Sequence, residues 1–151
     1  MLMSKQNEKK EIESWDDLNC SIDLLRGIYS YGFEEPSSIQ KKAILPLLNK
    51  KDIIAQAQSG TGKTGAFTIG TLGQVVLSEK VIQGIILAPT RELSKQIYNV
   101  LMSLGKMMKE LKIQLLVGGT SIEEDVQHLK NTPHIIVGCP GRINDMIRRK
   151  K

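Results

Sequence analysis

The sequence predicts an α/β domain: a parallel sheet with helices on both faces. Three observations lead there. Short runs rich in Ile, Leu and Val alternate with longer stretches of helical periodicity. The apolar share is 40% with only 4% aromatic, which suits an aliphatic core between sheet and helices. Those runs are near-continuous in Ile, Leu and Val, as strands of a parallel sheet covered on both faces are. At 151 residues the chain has room for one core, burying about two thirds of the surface its unfolded form exposes.

Residues 1–13 mix Lys, Glu, Gln and Asn with few apolar side chains, too few to offset the entropy of ordering, and are expected to form a loose tail. The fold is expected to begin near Trp15. Ser21 is a capping residue with Asp23 in the first turn, and the helix it opens stops at Gly32. A second helix is expected over 37–48, ending or kinking before Pro46, whose ring and missing N–H disfavour a helix interior. Strands are expected over 52–57, 84–88, 113–117 and 134–137. The helices between and after them are expected over 63–77, 91–109, 121–130 and from 141 onward. In such sheets ligands sit beyond the carboxyl ends of the strands, here the loops 58–62, 89–90, 118–119 and 138–141.

No apolar run approaches the roughly 20 residues that span a bilayer, and the N-terminus is polar and mixed in charge, unlike a signal peptide. An intracellular protein, nuclear or cytoplasmic and without a membrane partner, is expected. Cys20 and Cys139 have no CxxC or His-spaced companion, so the reading is two buried or half-buried free thiols, not a zinc site or a disulfide framework. The formal charge of +5 favours an anionic partner, although part of the excess lies in Arg148-Arg149-Lys150-Lys151, a run that also reads as a solvated helix end.

The run Ala57-Gln58-Ser59-Gly60-Thr61-Gly62-Lys63-Thr64 joins an apolar stretch to a helix. Gly60 and Gly62 can take backbone angles closed to other residues and turn main-chain N–H groups toward a polyphosphate, and the helix behind them offers its positive end to the same anion. Lys63 can reach the β- and γ-phosphates, and the Thr64 hydroxyl suits one position on Mg²⁺. Ala57 stands where the common phosphate-loop pattern has its first glycine. A plain Gly/Ser/Thr connector is the alternative; the Lys-Thr pair at the helix start argues against it. The run itself leaves ATP and GTP both open.

Together with LLRGIYSYGFEEPSSIQ, LAPTRELSKQI, GGT and CPGR, in order and at matching spacing from about Trp15 to Arg149, AQAQSGTGKT resembles the first half of a DEAD-box RNA helicase of the eukaryotic initiation factor 4A family. The resemblance implies a RecA-like phosphate-loop domain, with 14–151 as part of the first such domain. It implies an ATP-dependent RNA helicase, an ATP hydrolase, with ATP and Mg²⁺ as cofactors. The nucleotide would be held by Phe33, Gln40, Ser59, Gly60, Thr61, Gly62, Lys63 and Thr64, with Lys63 and Thr64 acting in the chemistry and Thr64 on the metal. Gln40 would read adenine and Phe33 pack on its ring; an amide both donates and accepts, as adenine's edge requires, so ATP is preferred. Ser37 and Gln40 also have the spacing of a capping box, in which both side chains close a helix start. Single-stranded or locally duplex RNA would be gripped through its backbone by Pro89, Thr90, Arg91, Gly118, Gly119, Pro140, Gly141 and Arg142, regardless of base. Each of these pieces also reads as an ordinary helix start or turn. Helical-repeat scaffold proteins are further partners that the resemblance implies.

The Asp-Glu-Ala-Asp and Ser-Ala-Thr strings of that family occur nowhere in the 151 residues. The chain is therefore expected to be a piece of a longer helicase, inactive alone, with its phosphate-loop strand short of a neighbour and an apolar edge exposed. A non-catalytic nucleotide- or RNA-binding fragment is the alternative. The family's Thr before Pro-Gly-Arg is Cys139 here, and a thiol is the weaker hydrogen-bonding group. The grip on RNA is expected to be reduced at this point unless the Cys139 N–H and Arg142 suffice. Cys139→Thr should then tighten RNA binding in a titration, and unchanged affinity would count against that reading.

Overall fold

The computed structural model describes residues 11–150. Residues 1–10 of the expected tail lie outside them. Ile12 is fully buried and donates its N–H to Lys41 O at 3.2 Å, so packing starts ahead of Trp15. A single 3₁₀ turn, Trp15–Asp17, comes next, its start closed by Asp17, whose carboxylate accepts from the N–H groups of Glu13 and Ser14 at 2.8 and 3.0 Å. Helix α1, Ile22–Tyr31, opens on Ser21, whose hydroxyl accepts from Leu24 N, and closes on Gly32 in the left-handed conformation (φ 96°). Helix α2, Ser38–Leu48, runs through Pro46 without ending there. The proline sits in the last turn, where it forfeits one ladder bond, to Lys42 O.

Helix α3, Lys63–Leu72, and helix α4, Arg91–Leu104, are both shorter than expected. Each stops at a glycine, Gly73 or Gly105, whose low helix propensity makes it a natural stop. Their N–H groups close the ends by bonding Ile69 O and Leu101 O. At Gly105 the chain doubles back so tightly that an added Cβ would lie 2.3 Å from the Leu111 side chain. Helix α5, Ile122–Leu129, is capped by Ser121, and helix α6, Pro140–Arg148, starts with proline in its first turn, where the missing N–H costs nothing.

Among the described residues the sheet has three strands, β1 (Gly84–Leu87), β2 (Ile113–Leu116) and β3 (Ile135–Gly138), in the order β1-β3-β2 and all parallel. All four residues of the central strand β3 are buried. Gly84 to Leu87 pair with Ile135 to Gly138 on one side, and Ile113 to Leu116 on the other. Ile135 and Val137 join the large core with α1, α2, α3 and α4, including Leu24, Ile28, Ile44, Ile69, Leu101 and Leu104. Ile136 and Leu116 face the opposite way, onto Ile143 and Met146 of α6 and the flank of α5. Helices on both faces of a parallel sheet are what the sequence predicts.

The expected strand over 52–57 is not one: the segment pairs with no strand. A ladder needs a partner, and among the described residues β1 is bonded only to β3. Ile54 is fully exposed, and Ile85 and Leu87 of β1 are more than half exposed. An unpaired apolar segment and an apolar sheet edge are the result anticipated for a phosphate-loop strand without a neighbour.

Helices α1 and α4 touch backbone to backbone: a Cβ on Gly27 would lie 1.8 Å from Leu104 O. Gly27→Ala improves intrinsic helix propensity by about 1 kcal/mol, but the clash dominates and the helices must part. The variant is expected to be less stable by about 1–3 kcal/mol, read as a lower midpoint in urea unfolding; an unchanged or higher midpoint would refute the close contact.

Candidate functional site

Two concave features are built from the residues singled out in the sequence. The first is a cavity of about 700 Å³ lined by Ser59, Gly60, Gly62, Lys63, Thr64 and Phe33, with α2 and α4 supplying apolar walls. Gly60 and Gly62 have φ of 79° and 97°, the left-handed region that favours glycine, and Gly62 is the cap from which α3 starts. The turn is held from behind. Ser37 Oγ donates to Thr61 O at 2.8 Å, Gln40 Nε2 donates to Gly62 O at 3.2 Å, and Thr61 Oγ1 donates to Gln58 O at 2.7 Å. A Cβ at Gly62 would come within 2.7 Å of both Ser37 Oγ and Gln40 Nε2, and one at Gly65 within 2.6 Å of Gln40 Nε2 and 3.1 Å of the Phe33 ring. Glycine at these two positions is a packing requirement of the α2–α3 contact as well as a matter of backbone freedom.

Lys63 turns back into the loop, its ammonium donating to Ala57 O and, at 2.7 Å, to Gln58 O. A cation held only by carbonyl oxygens at a helix N-terminus is arranged to exchange them for anionic oxygens. The Thr64 hydroxyl borders the same cavity and makes no hydrogen bond among the described residues. That leaves an oxygen available to a hard cation.

Gln40 is buried. Its carbonyl accepts from Ser37 N at 2.8 Å while its amide holds Gly62 O, so the capping box is formed and the side chain also ties the loop to α2. One amide hydrogen and one carbonyl lone pair remain unused. Phe33 is stacked on Trp15, ring centroids 5.9 Å apart, and meets Tyr31 edge-on at 4.8 Å. Trp15 is wholly buried and its Nε1–H has no acceptor among the described residues.

The second feature is an open cleft of about 720 Å³ at the carboxyl ends of all three strands, lined by Pro89, Thr90, Arg91, Gly118, Gly141 and Arg142 among others. Thr90 caps α4, accepting from Leu93 N at 3.2 Å. The Arg91 guanidinium is exposed, makes no hydrogen bond or ion pair among the described residues, and lies over the Gly118-Gly119 turn, where added Cβ atoms would be 3.1 and 2.8 Å from it. Gly119 needs its glycine also for φ 89°, and Pro140 is the first residue of α6. Leu93, one turn into α4, lines the first cavity while Arg91 and Glu92 line the cleft, so the two features meet at the start of one helix.

Two groups behave differently from the sequence reading. Arg142, expected to face an anion, is paired with buried Asp125 and bonds Thr120 O at 3.0 Å. The Cys139 N–H bonds Leu116 O at 3.1 Å. Both groups that were to compensate for the missing threonine hydroxyl are thus engaged within the protein. The Cys139 thiol does not cap α6; it touches Ser94 Oγ at 3.5 Å. Asp125 and Ser94 were not singled out in the sequence, and Thr120 enters there only as the last residue of the GGT string; the Asp125–Arg142 tie joins two helices, which no local pattern announces. Cys20 and Cys139 are both free thiols, as expected. Burial raises the pKa of the Cys20 thiol above its ordinary range. No helix among the described residues is long and apolar enough to cross a membrane.

The family model described as DEAD/DEAH box helicase matches residues 37–151. The chain is 47% identical over 146 residues to the ATP-dependent RNA helicase eIF4A of Chaetomium globosum, covering 97% of this chain and 36% of that protein. It is 51% identical over 138 residues to eukaryotic initiation factor 4A of Drosophila melanogaster, covering 91% and 34%. Among solved structures, a DEAD box protein from the hyperthermophile Methanococcus jannaschii superposes with a TM-score of 0.86 at 42% identity, over 93% of this chain and 38% of that one. S. cerevisiae Dbp5 bound to RNA and ADP BeF3 superposes with a TM-score of 0.79 at 41% identity, over 92% and 35%. This chain spans about a third of the length of the curated relatives it matches.

Proposed function

Because this chain belongs to the DEAD/DEAH box helicase family, we propose that it is the ATP- and RNA-binding part of an ATP-dependent RNA helicase. The observation that carries this reading is the meeting of a phosphate loop and a strand-end cleft at the N-terminus of α4, where Leu93 walls one and Arg91 the other. One ligand there can influence the grip on the other through a single helix start.

In this reading the main chain of Ser59 to Gly62 wraps the phosphates, and Lys63 gives up the carbonyls of Ala57 and Gln58 for phosphate oxygens. The Thr64 hydroxyl holds Mg²⁺, which neutralises charge on the phosphates when bound. Phe33, braced by Trp15, packs on the adenine, and the spare N–H and lone pair of Gln40 read its edge. Thr90, Arg91 and the Gly118-Gly119 turn take the sugar–phosphate backbone of RNA, with Pro140-Gly141 offering the start of α6. Base identity plays no part in such contacts, so the RNA is bound without sequence preference.

In the parent protein the outcome is local unwinding or clamping of RNA, in nucleus or cytoplasm, with helical-repeat scaffolds among its regulators. Residues 14–151 form part of its first RecA-like domain. The 151 residues contain no Asp-Glu-Ala-Asp string to organise metal and water, and electrostatic stabilisation of developing phosphate charge is the main part of such catalysis. The chain by itself is therefore a binder and not a motor.

Two measurements test this. Calorimetry should detect ATP uptake by the chain, lost on Lys63→Ala; no uptake, or uptake indifferent to the substitution, overturns the nucleotide reading. Phosphate-release assays should find negligible turnover by the chain with RNA present, and RNA-stimulated turnover at the level of an intact helicase would refute the division into binder and motor.

A further inference from the structure

Asp125 is the one buried carboxylate among the described residues, 4% exposed, and it is paired with Arg142, a lining residue of the cleft where the proposed function puts a polyanion. On charge alone it is misplaced, since it opposes phosphate. Its contacts give it another purpose. Asp125 Oδ2 accepts from Arg142 Nη1, and the other arm of the same guanidinium donates to Thr120 O at 3.0 Å, while Thr120 Oγ1 donates to Val117 O at 2.9 Å. The carboxylate on α5 thus fixes the arginine on α6, and the arginine fixes the turn Val117 to Thr120 that leaves β2. Gly118 and Gly119 of that turn are the surface on which the Arg91 guanidinium lies. Arg142 is itself spent in this clamp, its side chain 10% exposed. Arg91 is left as the open cation.

We infer that Asp125 is a positioning residue for RNA: through Arg142 and Thr120 it holds the Gly118-Gly119 turn and Arg91 in the shape that takes the backbone, and Arg142 is not itself a phosphate ligand. This rests on the reading of the cleft as the RNA site. The two ways in which Asp125 could act differ in sign. As a charge it repels RNA, so its removal tightens binding. As a clamp it presents the turn, so its removal weakens binding.

The test is binding of a single-stranded oligouridylate by the whole chain, titrated at several salt concentrations, with thermal melting of each variant as the folding check. Arg91→Ala is the reference for a true phosphate contact and should flatten the log–log salt dependence by about 0.7. Asp125→Asn should weaken binding about tenfold or more, since it loses a charge-assisted hydrogen bond, with the salt slope unchanged, and Asp125→Glu should recover most of the affinity. Should Asp125→Asn fail to fold, Arg142→Lys serves instead: it keeps the charge but cannot hold Asp125 and Thr120 together, and it too should weaken binding at constant slope. Equal or tighter binding by Asp125→Asn, wild-type affinity for Arg142→Lys, or a slope for Arg142→Lys flattened like that of Arg91→Ala overturns the inference alone. Failure of the unaltered chain to bind the oligouridylate overturns the RNA reading of the cleft and the inference with it.

Discussion

Parallel pairing of β3 with both neighbours is the constraint on which the rest of the molecule depends. Register puts Leu87, Leu116 and Gly138 side by side, so the three chains leave the sheet together along one edge. Each strand runs into a loop that opens α4, α5 or α6, and the three helix starts converge on one cleft. Antiparallel pairing of any one strand would send its loop to the far end. The closeness required is visible at Gly138, where a Cβ would sit 2.1 Å from Leu116 O. The central strand therefore has to be small at its last position as well as apolar throughout.

Within that frame, cations in the two concave features have different fates. Lys63 is parked on carbonyl oxygens and Arg142 is neutralised by a buried carboxylate, whereas Arg91 lies on a bare glycine turn with no ion-pair partner among the described residues. Carbonyls are neutral acceptors that an anion displaces readily. A buried ion pair is costly to open, because parting it leaves a charge without compensation. The formal motif residues thus divide into groups that can be recruited by a ligand and groups that shape the surface the ligand meets.

Much of this was legible in the sequence. The alternation of aliphatic runs and helical stretches carried the fold class, and the glycine-lysine-threonine turn identified the first cavity. Ser37 and Gln40 showed their capping spacing, and the structure forms that box while using the same amide to hold Gly62. Gly73 and Gly105 were stop signals that the apolar periodicity beyond them obscured. The strand over 52–57 could not be judged locally: Ile53 and Ile54 have strand character, but a strand exists only beside another, and pairing is a non-local property. The Asp125–Arg142 pair spans two helices and seventeen positions, with no periodicity to announce it. Cys139 stands out in the sequence as a departure, but only the three-dimensional arrangement shows its N–H and Arg142 already committed.

The position of Trp15 has a spectroscopic consequence. It is the chain's only indole, sealed from water with an Nε1–H that has no acceptor among the described residues, and it stacks on the ring that walls the phosphate-loop cavity. An indole in such dry surroundings emits toward the blue, and Phe33, its aromatic stacking neighbour among the described residues, is the ring that the proposed function sets against a purine. On that reading, intrinsic emission of the unlabelled polypeptide reports occupancy of that cavity, with no second indole to dilute the signal.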